Sequence, residues 1–217
     1  MSFDGNDDYI DIPDRLLSDG SSLSLSFWFK ADALEGDNRL VAVSQSHECL
    51  ANIGRSGSNE IGVRWRAGDG NARDYGFRTI SSSKWYHYTV TYNSTSGDLK
   101  GYINGAEDFY RSGLGYTGIN QESSIGQKGG TSHYNGIISD IRVYSRVLSQ
   151  SEVQKLYFWG SRDFARPLND SNSSSAVSRW AFDGDAKDSW GGNDGSVNVG
   201  AGYGNGIRNR AKMFNGS

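Results

Sequence analysis

Cysteine is almost missing: Cys49 stands alone among 217 residues. One thiol cannot make an internal disulfide, and no cluster of Cys and His stands by to make a zinc site. The three histidines, His47, His87 and His133, are far apart in sequence. No apolar run approaches the ~18 residues of a membrane span, so membrane insertion is not expected. The opening residues are strand-like, so a signal peptide is not expected within them. Lys and Arg total 22 against 25 Asp and Glu, and no basic cluster forms. The electrostatic footprint of a nucleic-acid binder is therefore lacking. Glutamate is scarce too, and no nucleophile-elbow motif is present.

What is present points to strands. There are 29 glycines and only 2 prolines, with 12 Tyr, 9 Phe and 6 Trp. Gly-rich turns between short alternating runs favour an all-β fold, and the aromatics supply large buried area. Leu23, Leu25, Phe27 and Phe29 alternate with Ser24, Ser26, Trp28 and Lys30. That period of two predicts a strand with one face in a core. Arg39 to Ser44 predicts a second. Ile61, Val63 and Trp65 alternate with Gly62, Arg64 and Arg66, and a polar loop is expected over 67–76. Trp85 to Asn93 is bulky on both faces, as a central strand between packed layers is. Asp98 to Ile103 leads into Asn104-Gly105, a hairpin turn that takes φ > 0 at both positions. Gly136 to Tyr144 predicts a further strand, with Ile137, Ile141 and Val143 as core candidates. The fold class expected is a two-sheet antiparallel, jelly-roll-like β-sandwich.

One helix start stands out. Ser149 and Glu152 form a capping box, and Val153, Leu156 and Tyr157 would face the core. Residues 160–178 are polar, with Asn169 to Ser175 at their heart, and read as a linker. Residues 179–217 are too few and too poor in aliphatics to bury a core of their own. They need a host. The expected organisation is a sandwich over 1–159, the linker, and a block over 179–217 that completes a sandwich in the same chain or in a neighbour. The linker's ~18 residues span roughly 60 Å when extended, so closure on the same chain is within reach. Met213-Phe214-Asn215-Gly216 repeats the phrase Ser2-Phe3-Asp4-Gly5. Two copies of one phrase would compete for one slot.

The phrases Phe3-Asp4-Gly5-Asn6-Asp7-Asp8-Tyr9-Ile10, Leu25-Ser26-Phe27-Trp28-Phe29-Lys30, Lys84-Trp85-Tyr86-His87-Tyr88, Gly101-Tyr102-Ile103-Asn104-Gly105, Asn135 to Tyr144 and Arg146-Val147-Leu148-Ser149 occur in that order. This series resembles the laminin-G-like branch of the concanavalin A-like lectin/glucanase superfamily, over residues 2–157. Trp180-Ala181-Phe182-Asp183-Gly184, with Asp188 and Gly191 to Gly195, resembles the family's opening segment, which here comes last. The resemblance implies a structural calcium where the opening phrase meets the last core strand. Asp8 and Asp140 are the expected side-chain ligands and Gly5 a carbonyl donor, with Asp4 and Asp7 beside them. Asp outnumbers Glu 19 to 6, an excess suited to turns and to hard-cation ligation. Asp183, Asp185, Asp188 and Asp194 form a second, weaker candidate group, which Asp-Gly turns explain without an ion.

Glucanases of the superfamily carry paired carboxylates on one strand face. The candidate strands here lack that run, Glu60 is isolated, and Glu35 with Asp37 sits in a turn. The chain is therefore expected to be non-catalytic. His87 is expected to be a packed or hydrogen-bonded core histidine. Two loops mix donors, acceptors and an aromatic face: Asp69, Asn71, Arg73 and Tyr75 in one, His133 and Tyr134 in the other. Loops on a rigid sandwich can present such groups to a sugar. The function expected is an extracellular, calcium-stabilised recognition module for glycans or glycoproteins. A virion surface subunit, forming a homo-oligomer by exchange of residues 179–217, is the alternative expectation.

Overall fold

The computed structural model describes residues 1–13, 21–36, 38–42, 49–54, 59–66, 71–115, 123–127, 132–162, 175–182 and 185–198. Within them run β1 (Ser2–Asp4), β2 (Tyr9–Ile12), β3 (Leu23–Ala31), β4 (Asn38–Ala42), β5 (Cys49–Ile53), β6 (Glu60–Arg66) and β7 (Ala72–Thr79). Then follow β8 (Trp85–Asn93), β9 (Asp98–Ile103), β10 (Ala106–Arg111), β11 (Ser123–Ile125) and β12 (Asn135–Tyr144). The single helix, α1 (Gln150–Arg162), precedes β13 (Ala176–Trp180) and β14 (Ser196–Asn198).

The strands make two seven-stranded antiparallel sheets. One has the order β1-β12-β3-β8-β9-β10, with β13 also on β12; the other runs β14-β2-β11-β4-β5-β6-β7. This is the expected all-β sandwich with one helix. Alternation decides which side chains meet between the layers. Leu25, Phe27 and Phe29 of β3 and Tyr88, Val90 and Tyr92 of β8 face Ile53, Ile61, Val63 and Trp65 of the second sheet in one core. Phe27 packs edge-on against Tyr88, and Trp65 lies 4.6 Å from Tyr92, centroid to centroid.

Helix α1 covers the other face of the first sheet. Its Ser149–Glu152 box is formed: the Ser149 N–H donates to Glu152 Oε2 at 2.7 Å. Arg146 donates to both Glu152 oxygens, at 2.9 and 2.8 Å. These bonds hold the Glu152 carboxyl down at about 2. Val153 and Leu156 join Tyr102, Tyr144 and Leu148 in a second apolar cluster. Tyr157 stacks on Trp28 at 5.7 Å. Gly160 lies so close to Trp28 that an added Cβ would sit 2.2 Å from Nε1.

The strands β13 and β14 add one to each sheet. β1 pairs with β12 over Ser2↔Ile137 to Asp4↔Asn135, and β13 continues along the same edge from Ile141↔Trp180. β14 adds to β2 in the second sheet. Trp180, Phe182 and Ala186 enter the main core. The segment read as a linker starts later and ends sooner, because α1 runs on to Arg162 and β13 begins at Ala176. The loop expected over 67–76 is a strand from Ala72 onward. The phrase Met213 to Gly216 lies outside the described residues.

Candidate functional site

The first candidate is the acidic turn between β1 and β2. Gly5, at φ +86, reverses the chain there, and an added Cβ would sit 3.0 Å from Asn135. Asp4 caps the turn: its oxygens accept from the Asn6 N–H at 2.8 Å and Asn6 Nδ2 at 3.1 Å. Those bonds lower its pKa. Asp8 is buried at 3 % exposure. Its Oδ2 accepts from the Asp4 N–H at 2.8 Å, while Oδ1 is buried with no partner among the described residues. Burial, then the charges of Asp4 and Asp7, raises the Asp8 pKa. One carboxylate oxygen from each of Asp4, Asp7 and Asp8 lies within 4.8 Å of the others.

Asp140 does not join this group. It sits at φ +50, where the pairing register of β12 with β3 breaks between Ser139 and Arg142. There its carboxylate accepts from Arg142 Nη2 at 2.7 Å and Arg142 Nε at 3.2 Å. Arg179 Nε of β13 donates to the same group at 2.9 Å. Both guanidiniums lie 5.7 Å from the Trp190 ring centre. The expectation of Asp140 as a cation ligand is thus corrected: a buried carboxylate flanked by two arginines is already neutralised. It ties the C-terminal block to β12.

Asp188 and Asp194 of the second acidic group are likewise committed. Asp188 accepts from the N–H groups of Arg179, Trp190 and Asn193 at 2.8, 2.9 and 3.0 Å. These bonds outweigh the opposing effect of burial and bring its carboxyl down to about 2. Asp194 accepts from the Asp188 N–H. Asp183 lies outside the described residues.

The residues expected to touch a ligand separate. Asp69 lies outside the described residues. Asn71 is exposed just before β7, and Arg73 is exposed on it. Tyr75 pairs in register with core residue Val63 and is half-buried, with Arg111 of β10 5.5 Å over its ring. His133 is half-buried. Tyr134 is a correction: it is fully buried in the core, edge-on to Phe3, and its hydroxyl donates to the Ile137 carbonyl at 3.4 Å. Its backbone N–H donates to the Gly126 carbonyl at 2.7 Å, which holds the residue in against the core.

His87 is also buried, on the face of the first sheet covered by α1. Its Nε2 is bonded to Ser26 Oγ at 2.8 Å. Desolvation, and then Arg142, depress its pKa to about 3, so the imidazole is neutral.

Sequence reasoning missed the outer face of the β6–β7 ribbon. Ile61, Val63 and Trp65 point into the core, so Glu60, Gly62, Arg64 and Arg66 point away from it. Asp74 stands opposite Arg64 and accepts from its Nη1 at 3.2 and 2.8 Å. Phe77 is 44 % exposed. Arg78 pairs in register with Ile61 and reaches Asp108 of β10 at 2.8 Å, so it leans to the inner side. Its neighbour Phe77 therefore stands on the outer face. Gly76, at φ +69, makes the bulge that allows this, because a Cβ there would lie 2.3 Å from the Phe109 ring.

Comparison with known proteins follows this geometry. Residues 4–154 match the Laminin_G_3 family, described as the concanavalin A-like lectin/glucanases superfamily. The chain belongs to this family. A candidate carbohydrate-binding protein from Bacteroides ovatus is similar at TM-score 0.64 and 20 % identity, over 91 % of this chain and 59 % of that one. This chain thus spans about three fifths of that relative. Domain 4 of AbnA, a GH43 extracellular arabinanase from Geobacillus stearothermophilus solved with arabinotriose, is similar at TM-score 0.53 and 23 % identity, over 68 % and 71 % of the two chains. The heptameric SAP-like pentraxin of Limulus polyphemus is similar at TM-score 0.52 and 15 % identity, over 72 % and 80 %. A comparison with curated proteins finds no match. The likenesses are to a shared sandwich.

Proposed function

We propose that this chain is a non-catalytic glycan-binding module that works outside the cell and is stabilised by calcium at the turn between β1 and β2. The observation that carries the glycan reading is the sandwich itself, matched over 91 % of the chain in a candidate carbohydrate-binding protein. A second neighbour of the same fold was solved with arabinotriose. A fold hosts many functions, so this support is by analogy. The carboxylates of Asp4, Asp140, Asp188 and Asp194 are held by turn N–H groups or by arginines, which favours recognition over acid–base chemistry.

Calcium fits the turn on two counts. The donors are all oxygen, which a hard cation takes, and Asp8 Oδ1 is a buried carboxylate oxygen without a protein partner among the described residues. Asp4, Asp7 and Asp8, with the Gly5 carbonyl, are the residues that would hold the ion. It would neutralise the turn and tie β1 to β2. A glycan microarray probed with the full chain in calcium buffer tests the function. Selective binding to a family of related glycans is expected. Failure across neutral, sialylated and sulfated glycans alike would contradict it.

A further inference from the structure

We infer that the outer face of the β6–β7 ribbon is the sugar subsite, with Phe77 as its platform, and that it takes neutral rather than acidic oligosaccharides. This rests on the glycan-binding reading above and assigns it a place and a ligand class.

The outward residues of this ribbon follow from register. Glu60 stands opposite Thr79, Arg64 opposite Asp74, and Arg66 opposite Ala72. Gly62 offers no side chain where Phe77 stands. A sugar needs an apolar plate for its C–H face and planar polar groups at the side for its hydroxyls. Phe77 supplies an exposed ring with nothing of its own to hydrogen-bond. The Arg64–Asp74 pair lies three residues along β7, roughly 10 Å at the rise of a strand. That span suits a short oligosaccharide rather than a single ring.

The pair is also held ready. Both Asp74 oxygens accept from one nitrogen, Arg64 Nη1, and the side-chain exposures are 12 % for Arg64 and 29 % for Asp74. Arg64 Nε is a buried donor with no partner among the described residues. Fixed polar groups lose little freedom when a ligand arrives.

Charge selects the class. The outward face carries Arg64 and Arg66 together with Asp74 and Glu60, whereas Arg73 and Arg78 stand in register with the inward Trp65 and Ile61. An acidic sugar on that face would meet the carboxylates of Asp74 and Glu60. A neutral sugar meets both donors and acceptors. Tyr110, the exposed aromatic at the opposite sheet edge, is a weaker platform. Lys100 covers its ring at 4.9 Å, and its hydroxyl is bonded to Asp98.

Calorimetry on the full chain in calcium buffer tests this, with arabinotriose, xylotriose, cellotriose and galactotriose set against trigalacturonate. At least one neutral trisaccharide is expected to bind, and trigalacturonate is expected to bind at least tenfold more weakly. Phe77→Ala should weaken the neutral ligand about tenfold, and Phe77→Trp should retain it. Phe77 is exposed, so both variants should melt close to the parent chain. An unchanged Kd in Phe77→Ala, or tighter binding of trigalacturonate, would overturn the subsite while leaving the glycan-binding function standing. No binding of any sugar here or on the microarray would overturn both.

Discussion

His87 shows how one buried side chain couples the fold to pH. An imidazole in the unfolded chain takes up a proton near pH 6.5, whereas in the folded chain it resists until about pH 3. The unfolded state therefore binds more protons across that window. Stability is complete above pH 6.5 and falls as pH drops towards 3. The loss on reaching pH 3 is on the order of 4 kcal/mol, at 1.36 kcal/mol per pKa unit. Urea melts of the chain from pH 7 to pH 4 should show the decline, and His87→Gln should flatten it. Asp8 carries the opposite charge problem. It is a buried carboxylate with two acidic neighbours and one oxygen that has no partner among the described residues. Asp8→Asn should raise the melting temperature in chelator and remove any rise caused by added calcium. A melting temperature that ignores calcium in the parent chain would count against the ion. The Asp-rich phrase was legible in the sequence. The tie from Asp140 to Arg179 was not, because Arg179 is 39 residues away and the contact needs β13 beside β12.

At the scale of elements, local chemistry was read well wherever it was local. The capping box at Ser149 and Glu152 opens α1 as expected, the alternating runs became β3 and β6, and the run bulky on both faces became β8. Glu152→Ala should lower stability by roughly 1 kcal/mol, the usual worth of such a cap. The depressed Glu152 carboxyl makes that contribution whole above its ordinary pKa of 4.5 and lost as pH falls towards 2. A parallel melt of parent and variant at pH 7 and pH 3 checks both statements. β7 was hidden because it is an edge strand. Edge positions carry polar residues, and the bulge at Gly76 breaks the alternation that marks a strand. The same bulge turns Phe77 outward, so the feature that hid the strand also concealed the proposed platform.

The whole molecule depends on a block that sequence alone could only describe as needing a host. Trp180 is fully buried in the main core, and its indole N–H donates to the Asn193 carbonyl at 3.0 Å. Residues 176–198 thus add a strand to each sheet and part of the core between them. Trp180→Ala should cost about 3–5 kcal/mol, as large-to-small changes in a packed core do. Truncation after residue 174 should leave a chain that melts much lower and exposes apolar surface to dye. If such a truncated chain melted like the full one, the block would not be part of this sandwich. The order of the family's phrases left open whether the block completes its own chain or a neighbour, and it did not name the strands that β13 and β14 join.

The central claim is that a rigid, non-catalytic sandwich binds a glycan on one defined face. Backbone amide NMR of the full chain, titrated in calcium buffer with a neutral trisaccharide that binds, tests it most directly. Saturable shifts are expected at Glu60 to Arg66 and Ala72 to Thr79, with the α1-covered face unmoved. Absence of shifts with every sugar tried would contradict the account, and shifts confined to the other sheet would contradict its placement of the site.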